Sequence, residues 1–166
     1  MKSSKDAVVV KSRISQILQE ASEPYFENEQ KPLTFLVIGG GPSGVECCAS
    51  LADYLSNDAT LQFGNVARHA QICLIEKRGL LTNFDPYFQK YVVDEFKRRR
   101  NISVIISDVS KISDSAVTLK VRLIFFTFYF KLPSNEQRLN NQFNLVYANF
   151  WHQEYARLRA QKDSLI

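Results

Sequence analysis

Four glycines fall within six positions of "TFLVIGGGPSGVECCASLADYL", residues 34–55, and they separate two segments of different periodicity. Before them, "LTFLVI" (33–38) is a short apolar run, partly β-branched. Such a run fits a strand buried on both faces of a parallel sheet. After them, Val45, Cys48, Ala49, Ala52 and Leu55 recur at three- and four-residue steps, which predicts a helix to about Leu55. Gly39, Gly41 and Gly44 therefore make GxGxxG between a strand and a helix, the context that lifts this motif above chance.

Each glycine has a physical task in such a turn. Gly39 permits the tight bend, Gly41 removes the side chain that would keep a pyrophosphate from the backbone, and Gly44 lets the helix lie close to the strand. The start of the helix offers unpaired N–H groups and the positive end of its dipole to the diphosphate. Gly40 adds backbone freedom, and the Ser43 hydroxyl can donate to a phosphate oxygen.

A dinucleotide site also needs an acid at the end of the next strand, to hold ribose hydroxyls. Glu76 closes "ICLIE" (72–76) and supplies it. It lies further along than the usual ~20 residues because "SNDATLQFGNVARHA", read as a polar loop, intervenes. A carboxylate there favours NAD(H) over NADP(H), while Lys77 and Arg78, directly after it, leave that choice open. Two roles are open to Glu46: complementing the helix dipole from the first turn, or contacting the nicotinamide or flavin end of a cofactor. The fingerprint alone also leaves open the ADP half of FAD.

The surrounding chain continues the alternation. Val10, Ile14, Ile17, Leu18 and Ala21 form one stripe of a leading helix, and "SEPYFENEQKP" reads as a connector. Asp85-Pro86 is a helix start, an N-cap followed by proline. Phe88, Tyr91, Val92, Val93 and Phe96 are its expected apolar face, and "KRRR" (97–100) its solvated, dipole-complementing end. "ISVII" (102–106) makes a third strand, and "SAVTLKV" (115–121) a further, antiparallel one. Alternation of this kind predicts an α/β fold, a Rossmann-like parallel sheet with right-handed crossovers.

Beyond about residue 120 the character changes. "LIFFTFYF" could be a buried strand, a patch for a partner, or sequence foreign to the fold; "YANFWHQEYARLRAQK" could be a helix. The expected organisation is a leading helix and connector (1–32), a Rossmann-like dinucleotide-binding domain (33–120), which the family resemblance given below implies is an incomplete NADH-binding one, and an irregular Phe/Asn-rich C-terminal extension (121–166). If that extension does not complete the sheet, the third strand's outer edge and one apolar face stay exposed.

Composition narrows the function classes. A net charge of +4 over 166 residues is too mild for a nucleic-acid footprint. Cys47, Cys48 and Cys73 form no CxxC pair and read as buried reduced thiols; His69 and His152 are isolated, so no metal cluster is expected. No apolar run reaches the ~18 residues of a membrane-spanning helix. "MKSSKDAVVVKSR" lacks the pattern of a secretory signal, and Asp6 fits a transit peptide poorly.

"LTFLVIGGGPSGVE" with "LADYL", then "ICLIEKRGLLTNFDPYFQKYVVDEFKRR" and "NISVIISDVSKI", resembles the NADH-binding domain of type II, non-proton-pumping NADH:quinone oxidoreductases. The likeness is strongest to the alternative NADH dehydrogenases of mitochondria, and it covers roughly residues 5–120. The resemblance implies that Gly39, Gly41, Gly44 and Glu76 hold NADH and that Glu46 lies near the nicotinamide–flavin junction. It also implies hydride transfer to FAD, electron transfer to ubiquinone, and peripheral docking on the inner mitochondrial membrane. The sequence departs from the family in having no second GxGxxG before residue 33, so the FAD motif is absent, and in its unrelated stretch from about 121. The expectation is a fragment that binds NADH but does not oxidise it alone; the alternative is a non-catalytic, NADH-sensing module that acts with a partner.

Overall fold

The structure is a computed structural model that describes residues 4–22, 33–112, 116–121, 124–129 and 145–149. Its centre is β1 (Leu33–Ile38), flanked in parallel by β2 (Gln71–Glu76), which is followed in parallel by β3 (Ile102–Ile106). The register sets Ile38 beside Ile75 and Glu76 beside Ile106, so the carboxyl ends of the three strands share one edge. The expected fold class is borne out, with helices returning the chain between parallel strands.

Those helices are α1 (Ser4–Ala21), α2 (Pro42–Tyr54), the short α3 (Thr60–Phe63) and α4 (Asn65–His69), and α5 (Pro86–Arg98). They pack on one face of the sheet. Ile14, Ile17 and Leu18 of α1, and Cys48, Leu51 and Ala52 of α2, meet Phe35, Val37, Ile72, Leu74 and Ile102 in one core. The expected stripe of α1 is therefore used, except that its first turns stay outside: Val8 and Val9 are exposed.

The opposite face is covered by a second, antiparallel sheet: β4 (Asp108–Ile112), β5 (Ala116–Val121) and β6 (Ile124–Tyr129). Val117 and Leu119 of β5 are buried against Leu36, Cys73 and Ile75. The strand expected over 115–121 is thus present and antiparallel. The apolar face that an incomplete domain would leave open is covered.

Four local expectations are corrected. Residues 56–70 are not a loop: α2 runs on through a π-helical turn, Leu55–Ala59, into α3 and α4, with Gly64 at φ +60 between the last two. Leu55, Ala59, Phe63 and Ala67 are buried from this stretch, at four-residue steps. A strand not expected from the sequence, β4, lies between β3 and β5. On α5 only Phe96 is buried, with Val92 and Val93 partly so, while Phe88 and Tyr91 are more than half exposed. The basic end of α5 is not wholly solvated: Arg99, just past it, donates to Asp53 Oδ1 at 2.6 Å and to the Ala49 carbonyl at 3.2 Å, tying α5 to α2.

The aromatic run supplies strand β6, paired with β5 from Ala116↔Tyr129 to Val121↔Ile124. Strand β7 (Leu145–Asn149) pairs antiparallel with the free edge of β1, giving the order β3-β2-β1-β7. Tyr147–Asn149 are therefore strand rather than the start of a helix, and the rest of that suggested helix lies outside the described residues. So does nearly all of the connector. Among the described residues no strand pairs with the outer edge of β3, and Ile106 is exposed at its end.

Candidate dinucleotide site

The chain leaves β1 at Ile38 and turns through the glycines at the carboxyl edge of the sheet, where β2 delivers Glu76. Gly39 N donates to the Ile75 carbonyl at 2.9 Å, continuing the ladder by one residue, and then bends away at φ +112. Only glycine adopts that conformation without strain, so the tight-turn role has its geometry.

Gly40 is needed for a different reason from the one expected. A Cβ there would lie 2.8 Å from both Glu76 Cγ and Leu80 Cδ2, so it is close approach rather than backbone freedom that requires glycine. Gly40 N donates to Glu76 Oε2 at 2.6 Å, and the Gly40 carbonyl accepts from Leu81 N at 2.8 Å. Leu81 itself holds φ 53, an uncommon conformation for a branched side chain, and it is buried. The loop after β2 is thereby stitched to the turn.

Gly41 contrasts with its neighbour. It caps α2 with φ −73 and ψ 179, which any residue adopts, and a Cβ there would meet nothing within 4 Å. Nothing in the packing of the described residues asks for glycine at 41; the open space beside it does. Among the described residues no side chain caps α2, so its first N–H groups face that space along with the positive end of the dipole. Ser43, exposed in the first turn, and Gly44, buried beneath it, complete the motif.

Glu76 is held more tightly than a ribose ligand alone would be. Besides the Gly40 bond, its Oε1 accepts from Lys77 N at 2.8 Å and from Arg78 N at 3.2 Å. Partial burial acts to raise its carboxyl pKa, but the bonds from Gly40, Arg78 and Lys77 and the charge of Arg78 outweigh it. The group is held below its ordinary value and is ionised at neutral pH. A carboxylate offers about four acceptor positions, so these three bonds leave room for a hydroxyl donor.

Glu46 is exposed and is the fifth residue of α2, beyond the first turn, so of the two roles open to it the one of complementing the dipole from the first turn is not met. The glycines, Ser43 and Glu76 are gathered at one edge; Glu46 stands on the same helix, one turn further on. The Gly40–Glu76 contact and the Leu80–Leu81 stitch have no counterpart among the sequence expectations. The near-adjacent "RGLL" after the acid was the only trace of the stitch.

Of the three thiols expected to be buried, Cys48 and Cys73 are, while Cys47 is only partly so. Burial raises Cys48, and it pushes Cys73 up to about 12 against a weaker opposing bond from Ser103; both are buried and all three cysteines are free. Among the described residues no cluster of His, Cys, Asp and Glu could hold a metal, and no helix is long and apolar enough to cross a membrane.

A parallel sheet with a glycine turn, an uncapped helix start and an acid on the adjacent strand end defines a Rossmann-like nucleotide-binding domain. The family model for pyridine nucleotide-disulphide oxidoreductases matches residues 13–125, and the chain belongs to that family. Among its relatives, the external NADH-ubiquinone oxidoreductase 2 of Saccharomyces cerevisiae mitochondria is 35% identical over 101 residues, 59% of this chain and 18% of the yeast protein. The external alternative NAD(P)H-ubiquinone oxidoreductase B3 of Arabidopsis thaliana mitochondria is 28% identical over 125 residues, 74% of this chain and 22% of the plant protein. The fold is shared with an NDH2 from Plasmodium falciparum solved in complex with NADH, at a TM-score of 0.69 and 24% identity, over 77% of this chain and 27% of that one. The resemblance to the type II enzymes is thus borne out. The chain spans only about a fifth of the length of the curated relatives it matches.

Proposed function

We propose that this chain provides the NADH-binding part of a type II NADH:quinone oxidoreductase. The observation that carries the reading is Gly41. Its lack of a side chain serves no contact among the described residues, yet it borders a helix start that none of them caps, as close approach of a diphosphate requires. In this reading the N–H groups opening α2 and the Ser43 hydroxyl hold the diphosphate. Gly39 and Gly40 shape the turn, Gly44 seats the helix, and Glu76 accepts from a ribose hydroxyl. Glu46 lies towards the nicotinamide end, at the junction with a flavin.

NADH, when bound, supplies a hydride, and the cofactor rather than the side chains carries that redox chemistry. The residues here bind and orient. They include one GxGxxG, read here as the NADH turn, so on this reading these 166 residues by themselves bind NADH without oxidising it, and FAD is held elsewhere in the enzyme. The names of the relatives support ubiquinone as the final acceptor and a mitochondrial location. Peripheral attachment to the inner membrane is part of the same proposal.

Calorimetric titration of the chain with NADH and, separately, FAD tests it, with NADH absorbance followed over time in the presence of a soluble quinone. The expected result is saturable NADH binding with no loss of absorbance. Preference for FAD would reassign the site, and steady NADH oxidation would show that the chain needs no other polypeptide.

A further inference from the structure

The acid that ends β2 is followed at once by two cations, Lys77 and Arg78, and a cation beside a ribose would welcome a 2′-phosphate. The structure engages one of them. Lys77 Nζ lies 2.6 Å from Asp108 Oδ2, at the start of β4.

That carboxylate is carried on a fixed piece of backbone. Ser107, just before it, is buried; its N–H donates to the Glu76 carbonyl at 2.8 Å and its Oγ to the Lys120 carbonyl at 3.1 Å. Asp108 then pairs in register with Lys120 on β5. The start of β4 is thus pinned to the residue that carries the ribose-binding carboxylate, and Asp108 lies within reach of the next side chain along. Glu76 takes the backbone N–H of Lys77 while Asp108 takes its ammonium group.

Resting on the reading of this edge as an NADH site, we propose that Asp108 is a positioning residue for nucleotide choice. It holds Lys77 off the ribose 2′ position beside Glu76, so a 2′-hydroxyl meets the carboxylate and a 2′-phosphate finds no lysine. Arg78 is exposed beside the same carboxylate in every variant considered below, and its contribution cancels from the comparison.

The pair is a surface pair, with side chains 63% and 45% exposed, so it is a weak tether and is screened by salt. The effect of breaking it is accordingly modest. Titration of the 166-residue chain with NADH and NADPH at low ionic strength tests the proposal. Asp108→Asn is expected to tighten NADPH about threefold to fivefold, while NADH changes by less than about twofold. Asp108→Glu restores the original ratio, and adding Lys77→Ala to Asp108→Asn abolishes the gain.

A ratio unchanged by Asp108→Asn, with NADH still bound, overturns the inference and leaves the site standing. Persistence of the gain in the double variant also overturns it, because removal of a negative charge would then suffice. Lys77→Ala alone gives a test that leaves Asp108 in place: it should leave NADPH binding unaltered, and a loss beyond about threefold means the lysine was never withheld. Failure of the unaltered chain to bind NADH removes the site reading and this inference together.

Discussion

Gly40 and Gly41 are adjacent and chemically identical, yet they serve different partners. The first faces Glu76 and Leu80; the second faces open space. Gly40→Ala should therefore lower thermal stability, since the contacts at 2.8 Å force the turn or the β2–α5 loop to shift, typically by about 1–3 kcal/mol. Gly41→Ala should leave the melting temperature unchanged or slightly raised, because its backbone angles suit alanine, while NADH binding is lost. Melting curves and NADH titrations on the two variants check this separation; equal loss of stability in both would refute it. Glu76 adds a pH dependence. Its carboxyl is held below the ordinary value of 4.5, so its contribution to stability is present above that value and is lost as pH falls through the lower, folded one. Glu76→Gln should thus destabilise the chain at neutral pH and flatten that part of its acid-side decline, as chemical denaturation from neutral to acidic pH would measure. A variant whose stability followed the unaltered chain at every pH would mean the three N–H bonds contribute nothing.

At the scale of elements, the sequence was most legible where local chemistry and tertiary role agree. "LTFLVI", the glycines and the 45–55 periodicity each specify one state, and strand, turn and helix form as expected. Asp85-Pro86 behaves likewise: the Asp85 side chain accepts from Tyr87 N at 2.8 Å, and Pro86 occupies the first helical position. Residues 56–70 look like a loop in the sequence because polar residues and a glycine mask a buried stripe only one residue wide. Leu55, Ala59, Phe63 and Ala67 carry that stripe, and the π-helical turn is held by the Thr60 hydroxyl donating to the Leu55 carbonyl at 2.7 Å. Strand β4 is not legible in the sequence because a shift in register between Val109 and Lys111 spoils the alternation of its apolar residues. The site was readable at its glycines and its acid. The closure of Glu76 onto Gly40 was not, because it depends on a distance across two strands that no spacing along the chain reports.

At the scale of the whole molecule, the sheet is sandwiched between unlike layers. Helices bury one face through Phe35, Val37, Ile72 and Leu74, and β5 buries the other through Val117 and Leu119. Leu36, Cys73 and Ile75 alternate with the first set, which is why both central strands read as unbroken apolar runs. The smaller layer has few residues to share its burden. Leu119→Ala, at a site only 1% exposed, should destabilise the chain by about 2–5 kcal/mol and shift its denaturant midpoint accordingly. A shift no larger than that of an exposed substitution would mean the second sheet is not integral to the fold.

The helical insert from Leu55 to His69 connects the end of α2 to the start of β2, beside Thr34, whereas the glycine turn and Glu76 occupy the opposite edge. Changes of length in this insert alter how far apart the motif and its acid fall along the chain without moving them in space. That makes it a natural point for grafting: a dye at Leu61, which is 90% exposed on α3, would sit at the edge away from the nucleotide and mark the protein without intruding on what it holds.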